Sequence, residues 1–418
     1  MEPPEPPPPP PHHPSPLPQQ FTCTHDTRKS KILTPTRALQ CLPSNFATVN
    51  VSAGCVHQCV YCFAAGYRHS PADGTICRVY DNLTEFMEEE LASGRRPARL
   101  HLSPSCDPFQ PIPEVQSVSE QLIRQALAHH IPAHFITKGV LIHRPFREYL
   151  VAHHEQVFMT VGLITLDPAL QTLLEPGAAP PQARLAQAQW AVSHGIHCAV
   201  RVVPVLPGVT DTDAQMRALF TAIHATGVRI VSLSYLFLRP HVRDALTQAA
   251  QAHPELRPAL AAFEHSVPMK LGGRGGAIEA MPAEWRAREY RRLVALAHEC
   301  SGGALRVKIC LCKNMDLPDQ CCNCDMAGPV LSPAPAPVAP AGATKEQGAP
   351  LPDLEALVLP AALTPPGGDE ETCGCGEGAA LGDTMLSDEE DDAQPEQQAA
   401  PTADGDSCAH GAGERPRE

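Results

Sequence analysis

No stretch of this 418-residue chain approaches the roughly eighteen consecutive apolar residues that a membrane-spanning helix requires. Its start also lacks the basic region and apolar core of a secretory leader. The expectation is a soluble, cytoplasmic protein in a reducing compartment, with no membrane partner. Basic residues are scarce at both ends. Residues 1–20 (MEPPEPPPPPPHHPSPLPQQ) carry Glu2 and Glu5 with no Lys or Arg, and from Ala327 onward 18 acidic residues face only Lys345, Arg415 and Arg417. Neither segment has the apolar content to build a core, so 1–20 reads as a disordered Pro-rich arm and 327–418 as a disordered, acidic Ala/Pro/Gly-rich tail. The formal charge of -14 and much of the proline belong to these ends, and 21–326 holds 29 basic against 26 acidic residues. A mildly basic domain admits a nucleic-acid substrate without requiring one.

In a reducing compartment, disulfides are a poor use for 17 cysteines, and clustering points to metal or redox chemistry. The stretch GCVHQCVYCF (54–63) sets Cys55, Cys59 and Cys62 in a C-x-x-x-C-x-x-C spacing without a fourth thiol. A second group, CLCKNMDLPDQCCNC (310–324), holds Cys310, Cys312, Cys321, Cys322 and Cys324. The remaining cysteines are scattered and read as small buried hydrophobes.

Between the two groups, short β-branched apolar runs alternate with amphipathic ones. Strands are expected at 46–53, 98–103, 133–138, 157–164, 197–206 and 228–236. Helices are expected at 84–93 (capped by Thr84), 115–130, 144–154, 181–194 and 212–226. Repeated βα units imply a parallel sheet with right-handed crossovers, either a partial six-stranded barrel or an open doubly wound sheet. Cys55 follows the first strand directly, and parallel barrels carry their chemistry in loops at the carboxyl ends of strands. Three thiolates from one loop can hold three irons of a [4Fe-4S] cluster and leave the fourth open. Zinc is the competing reading, with His57 as the missing nitrogen, although a donor inside so tight a loop is geometrically awkward.

These residues resemble the radical SAM family, and more narrowly its branch similar to spore photoproduct lyase. The resemblance runs in order through NVSAGCVHQCVYCFA (50–64), SCDPFQPIPE (105–114), ITKGVLIHR (136–144), TLDPALQTLLEPGAAPPQARL (165–185) and RVVPVLPGVTD (201–211), covering roughly 30–320. It implies an α/β fold, a partial (β/α)6 radical SAM barrel over 21–305, followed by a Cys-rich metal-binding extension over 306–326. It further implies that Cys55, Cys59 and Cys62 ligate a [4Fe-4S] cluster whose open iron takes S-adenosylmethionine (SAM). Reductive cleavage of SAM would yield a 5'-deoxyadenosyl radical that abstracts a substrate hydrogen. An electron donor similar to flavodoxin or ferredoxin is the implied partner, and a monomer is expected.

Carried over residue by residue, Lys138 and Thr165 fall where the family contacts SAM, with a salt bridge and a helix cap as their plainer uses. Asp107 matches the branch's acidic position for SAM or substrate, and also suits a turn before Pro108. Tyr61 matches a tyrosine that helps return a hydrogen atom, while Phe63 stands where a second tyrosine is usual. Cys106 departs from the usual Thr or Ser and is a candidate hydrogen donor, offset from the lyase's own donor cysteine. In the second group, Cys312, Cys321 and Cys324, with Cys310 as fourth, would hold zinc or a second iron–sulfur cluster. The glycine-rich LGGRGG (271–276) follows no expected strand and reads as a loop. Three functions stay open: a radical SAM enzyme acting on nucleic acid, one modifying a protein, peptide or small metabolite, and a non-catalytic zinc-binding interaction module.

Overall fold

The computed structural model describes residues 21–29, 31–33, 46–67, 69–71, 74–269 and 278–309, with Asn314 and Leu317. The Pro-rich arm, the loop 271–276, the thiols Cys310, Cys312, Cys321, Cys322 and Cys324, and the acidic tail lie outside the described residues.

Strands β1 (Thr22–Asp26), β2 (Phe46–Val49), β3 (Ser52–Ala53) and β4 (Ile76–Tyr80) precede helix α1 (Leu83–Ala92). Alternating units follow: β5 (Arg99–Leu102), α2 (Pro113–Ala128), β6 (Ala133–Thr137), α3 (Arg144–Ala152) and β7 (Val157–Gly162). Next come α4 (Pro168–Leu174), α5 (Pro181–Ser193), β8 (His197–Val205), α6 (Asp213–Ala225) and β9 (Ile230–Tyr235). The described chain closes with α7 (Pro240–Ala252), α8 (Arg257–Ala262), β10 (Val267–Met269), β11 (Ile278–Ala280), α9 (Ala283–Ser301) and β12 (Arg306–Ile309).

Seven of these strands pair in the order β12-β9-β8-β7-β6-β5-β2, every pairing parallel. This is the sheet of a partial barrel, with one strand more than the sequence pattern indicates. The addition is β12, which pairs with β9, so the barrel unit runs past the expected boundary at 305. The expected first strand, 46–53, is in fact two. β2 joins the main sheet beside β5, whereas β3 pairs antiparallel with β4 in a small side sheet that also holds β1.

Proline, disruptive inside a helix, occupies the first turn of α2, α3, α4, α5 and α7, where its fixed φ is already helical and no N–H is missed. Helix α6 starts on a capping box between Thr212 and Gln215, which satisfies two otherwise orphaned donors. The expected cap Thr84 lies inside α1, and Asn82 takes the cap position. The Asn82 side chain is committed elsewhere, accepting from Arg28 N at 2.7 Å and donating to Arg28 O at 2.8 Å.

One face of the sheet is mostly apolar. Leu100 and Leu102 on β5, Ala133 and Phe135 on β6, and Val157, Met159 and Val161 on β7 are buried in a core shared with Leu122, Ile123 and Phe146 of the helices. Alternation then sends His101, His134 and Thr160 to the opposite, inner face. The core sits between sheet and helices, leaving the carboxyl ends of the strands free to carry loops. Among the described residues no helix is long and apolar enough to cross a membrane.

Candidate active site

The loop carrying the thiols leaves β2 at Val49 and is fastened at several backbone points. Ser103 N donates to Val49 O at 2.6 Å, Val56 N to the Gln110 side-chain oxygen at 2.9 Å, and Val60 N to Leu174 O at 3.0 Å. Gly54 has φ +87, and a Cβ there would lie 2.5 Å from Ile76 O, so only glycine fits that turn. Gly177 packs as closely: a Cβ on it would lie 2.0 Å from Val56 O. The loop is thereby held by the segments that follow β5 and α4.

Cys55, Cys59 and Cys62 are partly buried, within electrostatic range of one another. Burial pushes the Cys55 thiol well up, with Asp107 and the other thiols adding to it. Burial likewise pushes Cys59 up to about 11, opposed by Lys138. The Lys138 ammonium donates to Cys59 Sγ at 3.4 Å and stands 5.0 Å from the Tyr61 ring centre. Burial works against that ammonium, but Cys59 and Glu175 outweigh it and raise its pKa.

Beneath Lys138 lies a fully buried ion pair. Glu175 Oε2 is 2.6 Å from Arg184 Nη1, both side chains are 0% exposed, and Glu175 Oε1 is 3.8 Å from Lys138 Nζ. The Tyr61 hydroxyl donates to Glu175 Oε1. Burial would raise the Glu175 carboxyl, yet Arg184 and Lys138 prevail and hold it below the ordinary range. A second carboxylate, Asp107, accepts from Thr137 Oγ1 at 2.7 Å, from Phe109 N at 2.9 Å and from Lys138 N at 2.6 Å. His57 Nδ1 lies 3.3 Å from Asp107 Oδ2, the oxygen that accepts from Lys138 N, while the buried His57 Nε2 has no hydrogen-bond partner. Burial opposes the charge on Asp107, and His57 with these donors overcomes it, lowering the pKa.

Cys55, Cys59, Cys62, Tyr61, Lys138 and Asp107 thus form one connected constellation. Asp107 also makes the turn expected before Pro108, and Lys138 the expected salt bridge. Thr165 is buried, and its Oγ1 accepts from Asp167 N at 3.1 Å. It lines a cavity of about 370 Å³ with Asp167, Thr210 and Gln215. Cys106 sits 3.9 Å from Asn50 Oδ1. Its thiol is raised by burial, against hydrogen bonds with Ser103 and Ser52. Phe63 is 39% exposed, edge-on to Tyr67 at 5.8 Å. Sequence reading missed Glu175 and Arg184. Both stand in the quoted stretch 165–185, but nothing local marks them as buried partners.

Residues 49–220 match the Radical SAM superfamily. Over those residues the chain resembles a radical SAM domain. An uncharacterized protein of Mycobacterium tuberculosis is 34% identical over 224 residues, spanning 50% of this chain and 64% of that relative. A radical SAM Nalpha-GlyT isomerase of Pseudomonas phage M6 is 25% identical over 201 residues, 48% of this chain and 41% of the relative. Among solved structures, a cysteine-to-serine variant of spore photoproduct lyase superposes with TM-score 0.53 at 16% identity, covering 69% of this chain and 81% of the other. The same lyase complexed with dinucleoside spore photoproduct gives 0.50 at 14% identity, with the same coverage. At such identity the likeness establishes the fold.

Likeness to the superfamily implies a [4Fe-4S] cluster and SAM, and the thiol loop suits them. Three soft donors come from one loop, each able to meet a different iron, and Lys138 against Cys59 offsets their negative charge. Among the described residues no three His, Cys, Asp or Glu side chains are grouped for a single metal ion. His57 turns its Nδ1 toward Asp107.

Proposed function

We propose that this protein is a radical SAM enzyme that abstracts a hydrogen atom from a nucleic-acid substrate. The observation that carries the chemistry is the thiol loop with Lys138 Nζ 3.4 Å from Cys59 Sγ, at the carboxyl end of a parallel sheet. Cys55, Cys59 and Cys62 would hold the cluster, which, once reduced by a flavodoxin- or ferredoxin-like donor, supplies a carbon radical from SAM. Lys138 positions a cation beside the loop, suited to balance thiolate charge and to meet SAM's carboxylate. Glu175 and Arg184 fix that ammonium and the Tyr61 hydroxyl. Asp107 ties the loop after β5 to the one after β6 through Lys138 N and Thr137, and it holds His57 against the thiols. The loop's many anchors preorganise the ligand set. Nucleic acid as substrate follows from the resemblance to the photoproduct-lyase branch and is supported by the mildly basic balance of 21–326, 29 basic against 26 acidic residues.

The test is anaerobic reconstitution of the wild type and of Cys55→Ala, Cys59→Ala and Cys62→Ala. Each variant is expected to lose most of the iron at this site and to form no 5'-deoxyadenosine on reduction. SAM cleavage at the native rate in any one of them would falsify the assignment.

A further inference from the structure

Sheets covered by helices ordinarily bury apolar side chains on both faces. Here the inner face departs from that pattern in one direction of charge. None of the seven strands contains an Asp or Glu. Turned inward are Arg99 and His101 on β5, His134 on β6, Arg201 on β8, Ser232 on β9 and Lys308 on β12.

The bottom of this face is internally satisfied. The Arg99 guanidinium stacks 5.1 Å from the Phe46 ring and 3.9 Å from that of Phe158. His101 and His134 share a contact of 2.7 Å between their Nδ1 atoms, and His134 Nε2 reaches Thr160 Oγ1 at 3.1 Å. Only one of two rings in such a contact can carry the shared proton, so the pair cannot be doubly charged there. Burial, then Arg201 and Arg99, depress His101 to about 3.

The upper row is different. Register places Gly162, Arg201, Ser232 and Lys308 side by side across β7, β8, β9 and β12. Arg201 is half-buried, and among the described residues its guanidinium has no ion pair or hydrogen bond. Next to it, the buried Ser232 Oγ has no hydrogen-bond partner. On the other side Gly162 leaves room that the Lys138 stem fills, its Cγ 2.8 Å from where a glycine Cβ would stand. An unpaired cation and an orphaned hydroxyl in one row are costly to hold, and the row adjoins the thiol site through Lys138. A tetrahedral oxyanion is the ligand that takes donors from several directions and suits the guanidinium fork.

We propose that Arg201 and Ser232 bind a phosphate of the substrate, setting a phosphodiester-bearing strand against the inner face beside the thiol loop. This rests on the nucleic-acid reading above. It assigns substrate anchoring to a residue outside the thiol loop and outside the segments contacting it.

The experiment measures binding to the reconstituted protein of three probes: thymidylyl-(3'→5')-thymidine, its uncharged methylphosphonate analogue and inorganic pyrophosphate. Wild type is expected to prefer the charged dinucleotide by about 10- to 100-fold, the weight of a charge-assisted hydrogen bond. Arg201→Met should erase that preference and Arg201→Lys should retain part of it, with melting curves confirming that both variants fold. Equal wild-type affinity for charged and uncharged dinucleotides overturns the phosphate site while leaving a nucleic-acid substrate standing. Arg201-dependent binding of pyrophosphate with no binding of either dinucleotide keeps the anion site and overturns the nucleic-acid reading. Binding of none of the three overturns both. If the Arg201→Met loss falls on SAM affinity instead, the guanidinium belongs to the cofactor's carboxylate and the proposal fails.

Discussion

Two groups of cations lie within this one barrel, and they are treated in opposite ways. Around the thiol loop each cation has a carboxylate: Lys138 and Arg184 share Glu175. On the inner face of the sheet, Arg201 on β8 has no carboxylate partner among the described residues. A matched group resists disturbance, because removing one partner strands a buried charge. An unmatched group has little geometry of its own to lose and gains most from an incoming anion. The first arrangement suits residues that must hold a cofactor loop still. The second suits residues that await a ligand.

The sharpest way to break this contrast is Glu175→Gln. It leaves Arg184 and Lys138 facing a neutral group, and the expected cost is about 3–5 kcal/mol in chemical denaturation. Removing both partners in Glu175→Gln/Arg184→Met should recover part of that loss. If the single change costs no more than a surface substitution, the pair does not govern the loop.

An effect smaller for each pH unit follows from the histidines. Burial holds His101 at about 3 and His134 well below its ordinary value, against roughly 6.5 in an unfolded chain. Above pH 6.5 neither state gains protons and stability is flat on this account. As pH falls from about 6.5 toward 3, the unfolded chain binds protons that the fold refuses, so stability falls by up to about 1.4 kcal/mol per pH unit for each ring. His101→Asn should shallow this acid limb in denaturation midpoints measured across pH. An unchanged slope would remove the buried neutral pair from the account.

The smallest expected effect is the most discriminating. Arg201→Met should lower stability at neutral pH by no more than about 0.5 kcal/mol, since no protein partner is lost. It should also shallow the acid limb slightly, because a cation that repels the His101 proton is gone. A loss of several kcal/mol would show that Arg201 is matched after all and place the two groups in the same class.

What was legible in the sequence is what local chemistry controls. Short β-branched apolar runs marked six strands of the parallel sheet to within a few residues, because strands buried on both faces read as near-continuous apolar stretches without tertiary knowledge. The seventh, β12, is four residues long and abuts the second thiol group, too brief for a period to register. Cys55, Cys59 and Cys62 were legible since one loop at a strand end supplies all three. Asp107 and Lys138 were named through the family resemblance, Lys138 directly after β6 and Asp107 in the loop that follows β5.

By itself, then, the sequence determined the βα order, the thiol loop and the strand ends that surround it. Only the tertiary structure decided which charges are matched. Glu175 follows α4, Arg184 sits within α5 and Lys138 follows β6, and their pairing depends on distances and exclusion of water that no spacing encodes. The same holds for Arg201: in RVVPVLPG it is one cation in an apolar run, and it becomes an anion site only once neighbouring strands are known to bring Ser232 and Lys308 alongside and no carboxylate. Strand register and burial set the strength of every such interaction, and both are properties of the folded sheet.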